Sequence, residues 1–160
     1  MYPLLARNLE KGDRGPMRME TFIRKSLGLK AHTVVKVEEL PEGGLVAHVD
    51  RLPNRHLQCG ACGQPTGKVA TTRRPARRWR DLGCRDTPLW LAYAPHRVHC
   101  PTCGLRVERI PWAEPWQRVT RALGRAVAAL ARDLPWARVA AHFRLNWKTV
   151  AVVVEGAVLW

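Results

Sequence analysis

The sequence predicts an α+β fold in which a small β-rich module is followed by an α-helical one. Three observations predict it. Two Cys-x-x-Cys pairs lie in loop-rich sequence, β-branched runs flank a turn between Thr33 and Asp50, and beyond Pro111 apolar residues recur at helical spacing. With 160 residues the chain holds one medium domain or two small ones, which excludes a large catalytic barrel.

Charge narrows the field of partners. Lys and Arg number 27 against 13 Asp and Glu, a formal +14 that favours polyanions. The excess is uneven, +1 over residues 1–50, +9 over 51–112 and +4 over 113–160, so a partner is expected to meet the middle and the end. Apolar runs are broken by Arg, Pro or Gly well short of the ~20 residues a membrane helix needs, so no membrane role is expected. No secretory-type series opens the chain, which predicts a cytoplasmic location and free thiols.

Residues 1–28 are expected to form a flexible tail. The first eighteen, with Gly12, Gly15 and Pro16 among alternating charges, show no period, and Met19 offers an alternative start. Residues 29–112 form the β-rich module. It opens with TVVKVEEL, PEGG and LVAHVD, a hairpin pattern, and continues through short runs such as Leu89–Ala94 and Arg106–Ile110 that predict small strands. Residues 113–160 form the helical module, with the junction at Trp112–Pro115. Val119, Leu123, Ala126, Val127, Leu130 and Leu134 mark one face of an amphipathic helix starting near Pro115, with Arg118, Arg121, Arg125 and Arg132 opposite.

Cys59 with Cys62 and Cys100 with Cys103 are the sharpest signal. A two-residue gap turns both thiolates toward one ion, and the glycine after each pair, Gly63 or Gly104, permits the left-handed backbone such a knuckle requires. Together they predict one structural Zn2+ per chain in a closed, zinc-ribbon-like site. The 37 residues between the pairs must form a strand layer of their own. His56 and His99 are expected outside the ligand set, and Cys84 as a small buried apolar residue.

Two segments are candidates for nucleic acid. Arg73, Arg74, Arg77, Arg78 and Arg80 crowd around Trp79, and their guanidinium forks suit phosphates, with the indole stacking or packing beneath. A solvated loop in an Arg-rich chain is the plain alternative. The segment LPWARVAAHFRLNWKTVAVVV reads as helix-turn-helix. Ala140 permits close crossing, Leu145 plugs the corner, Asn146 caps the second helix, and Trp147, Lys148, Thr149 and Val152 face the major groove. Arg144 stands where such turns usually place glycine, and Val152–Val154 leaves a strand as the competing reading. The apolar end through Val158, Leu159 and Trp160 implies burial.

The combination of CGACG, a long insert, HRVHCPTCG, a stretch ending near Pro111, and helices carrying LNWKTV resembles the N-terminal part of bacterial insertion-sequence transposases of the ISL-three family. The resemblance covers about residues 29–160. It implies zinc at Cys59, Cys62, Cys100 and Cys103, and double-stranded DNA of the transposon terminal repeats at the helices around Asn146–Thr149. Self-association, or association with a full-length transposase, is a further expected partnership. In that family these modules precede an RNase H-like domain of the DDE type, whose three carboxylates hold two divalent ions. The acids after residue 104 are Glu108, Glu114, Asp133 and Glu155, so a chain that binds DNA but does not cut it is expected. The rival readings are a stand-alone DNA-binding repressor or transposition inhibitor, and a zinc ribbon serving RNA or an assembly.

Overall fold

The computed structural model describes residues 17–158. Residues 1–16, most of the expected tail, lie outside it, as do Leu159 and Trp160 of the apolar end. The rest of that tail is folded. Met19–Ser26 form helix α1, with Glu20 in its first turn and Arg24 and Lys25 in its last, an order that suits the helix dipole. Ile23 of α1 and Leu29 after it are buried in the β-region core. One buried side chain in eight residues leaves no periodic trace, which is why sequence reading passed over this helix.

The expected hairpin is present. Strands β1 (His32–Glu39) and β2 (Leu45–Arg51) pair antiparallel, with Val34 opposite Val49 and Glu39 opposite Leu45. Seven further strands follow: β3 (Leu57–Gln58), β4 (Pro65–Thr66), β5 (Val69–Arg73), β6 (Arg77–Cys84), β7 (Thr87–Tyr93), β8 (His96–Cys100) and β9 (Gly104–Val107). They form a four-stranded sheet β1-β2-β7-β6, a two-stranded ribbon β3-β4 and a three-stranded sheet β5-β8-β9. The insert between the cysteine pairs is therefore a strand layer, and its β7 joins the first hairpin by running parallel to β2.

Alternation along these strands builds the core. On β7, Leu89, Leu91 and Tyr93 point inward, and they meet Val34, Ala47, Val49 and Trp79. Each fully buried aliphatic side chain contributes about 1.5–3 kcal/mol. Trp112 sits edge-on to Trp79 at 5.7 Å and to Tyr93 at 5.4 Å between ring centroids, so it is a core residue of the β region, and its carbonyl accepts from the Arg121 amide at the start of α2. Cys84 is exposed at the end of β6, not buried as expected, because the turn to β7 carries it away from the core.

Three helices complete the fold: α2 (Arg121–Leu130), α3 (Trp136–Phe143) and α4 (Trp147–Val158). The first begins after Thr120 rather than near Pro115. Trp116 takes a left-handed φ of 67°, so Pro115 opens a turn, and Thr120 caps the helix by accepting from the Leu123 amide. Val152–Val154 lie within α4, so the competing strand is absent there. Val119, Leu123, Val127, Val139, Ala140, Val150 and Val153 form a second core, packed by α4 against α2 and α3. The helical core joins the main sheet where the Val119 backbone bridges Arg80 of β6 in parallel register. Among the described residues no helix is long and apolar enough to cross a membrane.

Candidate metal centre and nucleic-acid surface

The four predicted cysteines converge. Their sulfurs lie within 4.8 Å of one another, with Cys62 and Cys100 at 3.5 Å, near the ~3.8 Å sulfur spacing of a tetrahedron with 2.3 Å metal–sulfur bonds. One pair sits between β3 and β4, the other at the turn from β8 to β9, so two ribbon tips face each other. Gly63 and Gly104 adopt φ of 76° and 71°, the left-handed backbone expected of them. At Gly60 the amide donates to the Val107 carbonyl at 3.0 Å, an approach a β-carbon would block.

Electrostatics favour a cation here. Backbone amides of Cys62 and Ala61 hold the Cys59 thiol down at about 7, although burial opposes them. Hydrogen bonding from Cys62, with burial and the neighbouring Cys100, pushes Cys103 up to about 12. Four thiols so close cannot all ionise without a positive centre, and an all-sulfur set fits a borderline-soft divalent ion with no open position. His56 and His99 stand outside the cluster.

Directly beneath lies a polar network that sequence reading missed. Glu108, 3% exposed, accepts from the His96 amide at 2.7 Å, the Tyr93 hydroxyl at 2.5 Å and His32 Nε2 at 2.9 Å. Burial alone would raise its pKa, but these hydrogen bonds outweigh burial and hold the carboxyl below its usual value. Tyr93 is driven the other way by burial and by that carboxylate. Arg73 extends the network, donating to His96 Nε2 at 2.9 Å and to Asp50 at 2.6 Å. The only sequence hint was an acid inside an otherwise strand-like run, RVERI.

The predicted arginine cluster is not one clamp. Arg73 is committed to Asp50 and His96, and the Trp79 indole is buried in the core rather than stacked under guanidinium groups. The alternation of β6 then divides the rest. Arg77 shares the Trp79 face and, with Arg74, lines a cleft. Arg78 and Arg80 project from the other face, where Arg80 stacks over Trp90 at 4.7 Å. Burial and the nearby Arg144 depress the Arg80 pKa, while Asp81 opposes them.

The predicted groove-facing residues cluster at one end of α4. Arg144 takes the left-handed φ of 52° normally given to glycine, and Leu145 follows, half-buried against the helical core. The Asn146 side chain accepts from the Lys148 amide at 2.9 Å, capping α4. Arg144, Asn146, Trp147 and Lys148 are exposed, Thr149 is half-buried, and Val150 anchors the opposite face.

Residues 108–153 match the helix-turn-helix domain of transposase family ISL3, a stretch that spans α2, α3 and the first part of α4. Over 146 residues, 86% of the chain, the sequence is 31% identical to the transposase for insertion sequence element IS1557 of Mycobacterium tuberculosis, in strains CDC 1551 / Oshkosh and ATCC 25618 / H37Rv. This chain is related to the ISL3 family of transposases. The ISL3-related chain is also 31% identical, over 125 residues and 77% of its length, to the transposase for insertion sequence element IS1001 of Bordetella parapertussis. It spans about a third of these relatives, 32% and 30% respectively. No solved structure matches it.

Beyond the predicted residues, the fold brings Arg106, Arg109, Arg121, Arg125 and Trp116 to the cleft that Arg74 and Arg77 line. The one local hint was the helix-face spacing of Arg121 and Arg125.

Proposed function

We propose that this chain is the DNA-binding portion of an insertion-sequence transposase and recognises the terminal repeats of its element. Residues 29–112 form a zinc-stabilised basic module, and residues 113–160 a helix-turn-helix module that lays the start of α4 in the major groove. The observation that carries the reading is the exposed group Arg144, Asn146, Trp147 and Lys148 at a capped helix start, inside the stretch that matches the ISL3 domain. Arg and Lys there supply phosphate contacts, while Trp147, Asn146 and Thr149 are placed to read base edges.

Zinc held by Cys59, Cys62, Cys100 and Cys103 supplies folding energy and no chemistry, because four thiolates fill its coordination. The chain binds ends in the cytoplasm, and strand cleavage belongs to an RNase H-like domain that the described residues do not form. Self-association, or association with a longer transposase, brings two ends together. The deciding experiment is anisotropy titration of duplex carrying the element's terminal repeat against a scrambled duplex at equal salt. Tighter binding to the repeat is expected, and equal affinity for the two overturns end recognition.

A further inference from the structure

A cleft of about 1060 Å³ opens between the β region and the helices. Its floor is apolar, with Trp79, Ile110 and Ala113 on one side and Ala128 and Val153 on the other. Arg74, Arg77, Arg106, Arg109, Arg121 and Arg125 stand around it. Its two carboxylates are already engaged, Glu108 by His32, Tyr93 and His96, and Glu114 by Arg121. Among the described residues, the other five arginines have neither an acid partner nor a side-chain hydrogen bond, and the Arg74 Nε is buried without an acceptor. Five uncompensated like charges over an apolar floor call for a ligand that carries several anionic groups and also apolar faces.

Trp116 stands on the rim, 92% exposed. Its left-handed backbone sets the indole outward through the turn itself, with no packing to hold it. An exposed indole beside a basic groove is what an unpaired nucleic-acid strand requires, since its phosphates need cations and its free bases need a π-face. A duplex keeps its bases stacked inside and offers neither the floor nor Trp116 any surface. The cleft meets α4 beyond its groove-reading start: its first lining residue there, Val153, lies five residues past Lys148, about 7.5 Å along the helix.

We infer that this cleft binds an unpaired DNA strand, with Trp116 stacking on a base and Arg74, Arg77, Arg106, Arg109 and Arg125 neutralising its phosphates. This site acts independently of duplex recognition by α4.

The test is anisotropy of a labelled oligothymidylate of about a dozen nucleotides against the full zinc-loaded chain at low salt. Binding is expected, with Trp116→Ala weakening it about 5- to 150-fold. Arg106→Ala with Arg109→Ala should lower the slope of log affinity against log salt by about 1.4. All three side chains are exposed, and unchanged circular dichroism verifies that the variants fold. Lys148→Ala should leave oligothymidylate binding unchanged while weakening duplex binding, which separates this site from the proposed end recognition. The inference is overturned by absence of oligothymidylate binding, by equal binding in the cleft variants, or by duplex displacing the oligonucleotide as well as unlabelled single strand does.

Discussion

The hydroxyl of Thr120 donates to the Asp81 carboxylate at 2.5 Å and accepts from the Leu123 amide at 3.3 Å, so one buried side chain caps α2 and ties it to β6. The backbone repeats the link, with Thr120 N–H on the Arg80 carbonyl and Arg80 N–H on that of Arg118, both 2.8 Å. Thr120→Val keeps the volume but removes both hydroxyl bonds, and it should cost about 1–2 kcal/mol in urea unfolding. Hydrogen exchange should quicken at the start of α2 before it does in β7.

Metal should be inseparable from folding in the middle of the chain. One zinc per chain is expected by elemental analysis, and a strong chelator should unfold the ribbons around Cys59 and Cys103, since structural zinc in small modules supplies about 10–16 kcal/mol. Cys59→Ser or Cys103→Ser should have the same effect. A chelated chain that keeps its near-ultraviolet dichroism would rule out this role.

Removing the buried acid isolates the network below the cysteine cluster. Glu108→Ala leaves His32, Tyr93 and the His96 amide without an acceptor, and should destabilise by about 3 kcal/mol or more. Glu108→Gln, which keeps an acceptor oxygen but no charge, should lose less. Equal losses from the two would mean that the negative charge, which neither variant keeps, sets the contribution.

Lys148→Ala should weaken duplex binding to nearly the same degree across sequences and reduce the salt slope by about 1, as expected for one lost phosphate contact. Replacing Trp147 or Thr149 should instead alter which sequence is preferred. Footprints unchanged in all three would remove the start of α4 from the interface.

Incubated with Mg2+ or Mn2+ and end-sequence DNA, the purified chain should leave both strands intact. This follows from the proposed reading, in which these residues bind DNA and do not cut it. Site-specific nicking by this polypeptide would refute the prediction.

What the sequence made legible was what it writes locally. The cysteine knuckles, the β1–β2 hairpin and the Asn146 cap each depend on residues a few positions apart. Trp79 and its arginines are parted by strand alternation, which sends neighbours to opposite faces and which a count of basic residues cannot reveal. Cys84 misled because apolar character says nothing of a turn. Glu108 and the cleft were hidden for another reason, since their partners come from segments as distant as His32, Arg74 and Arg125. Charge arithmetic records these side chains but not where they meet.

The parallel pairing of β2 with β7 nests one closure inside another. The first cysteine knuckle follows β2, β7 lies within the insert, and the second knuckle comes after it. A ribosome releasing this chain must deliver Cys103 before the ion can close its cage, and Tyr93 before the main sheet is complete. Such far-reaching pairings slow a polypeptide's descent to its native state, because long loops must close before burial rewards them. The β region of the nascent chain should therefore stay open to proteases until Cys103 has left the ribosome, then fold at a pace set by the supply of zinc.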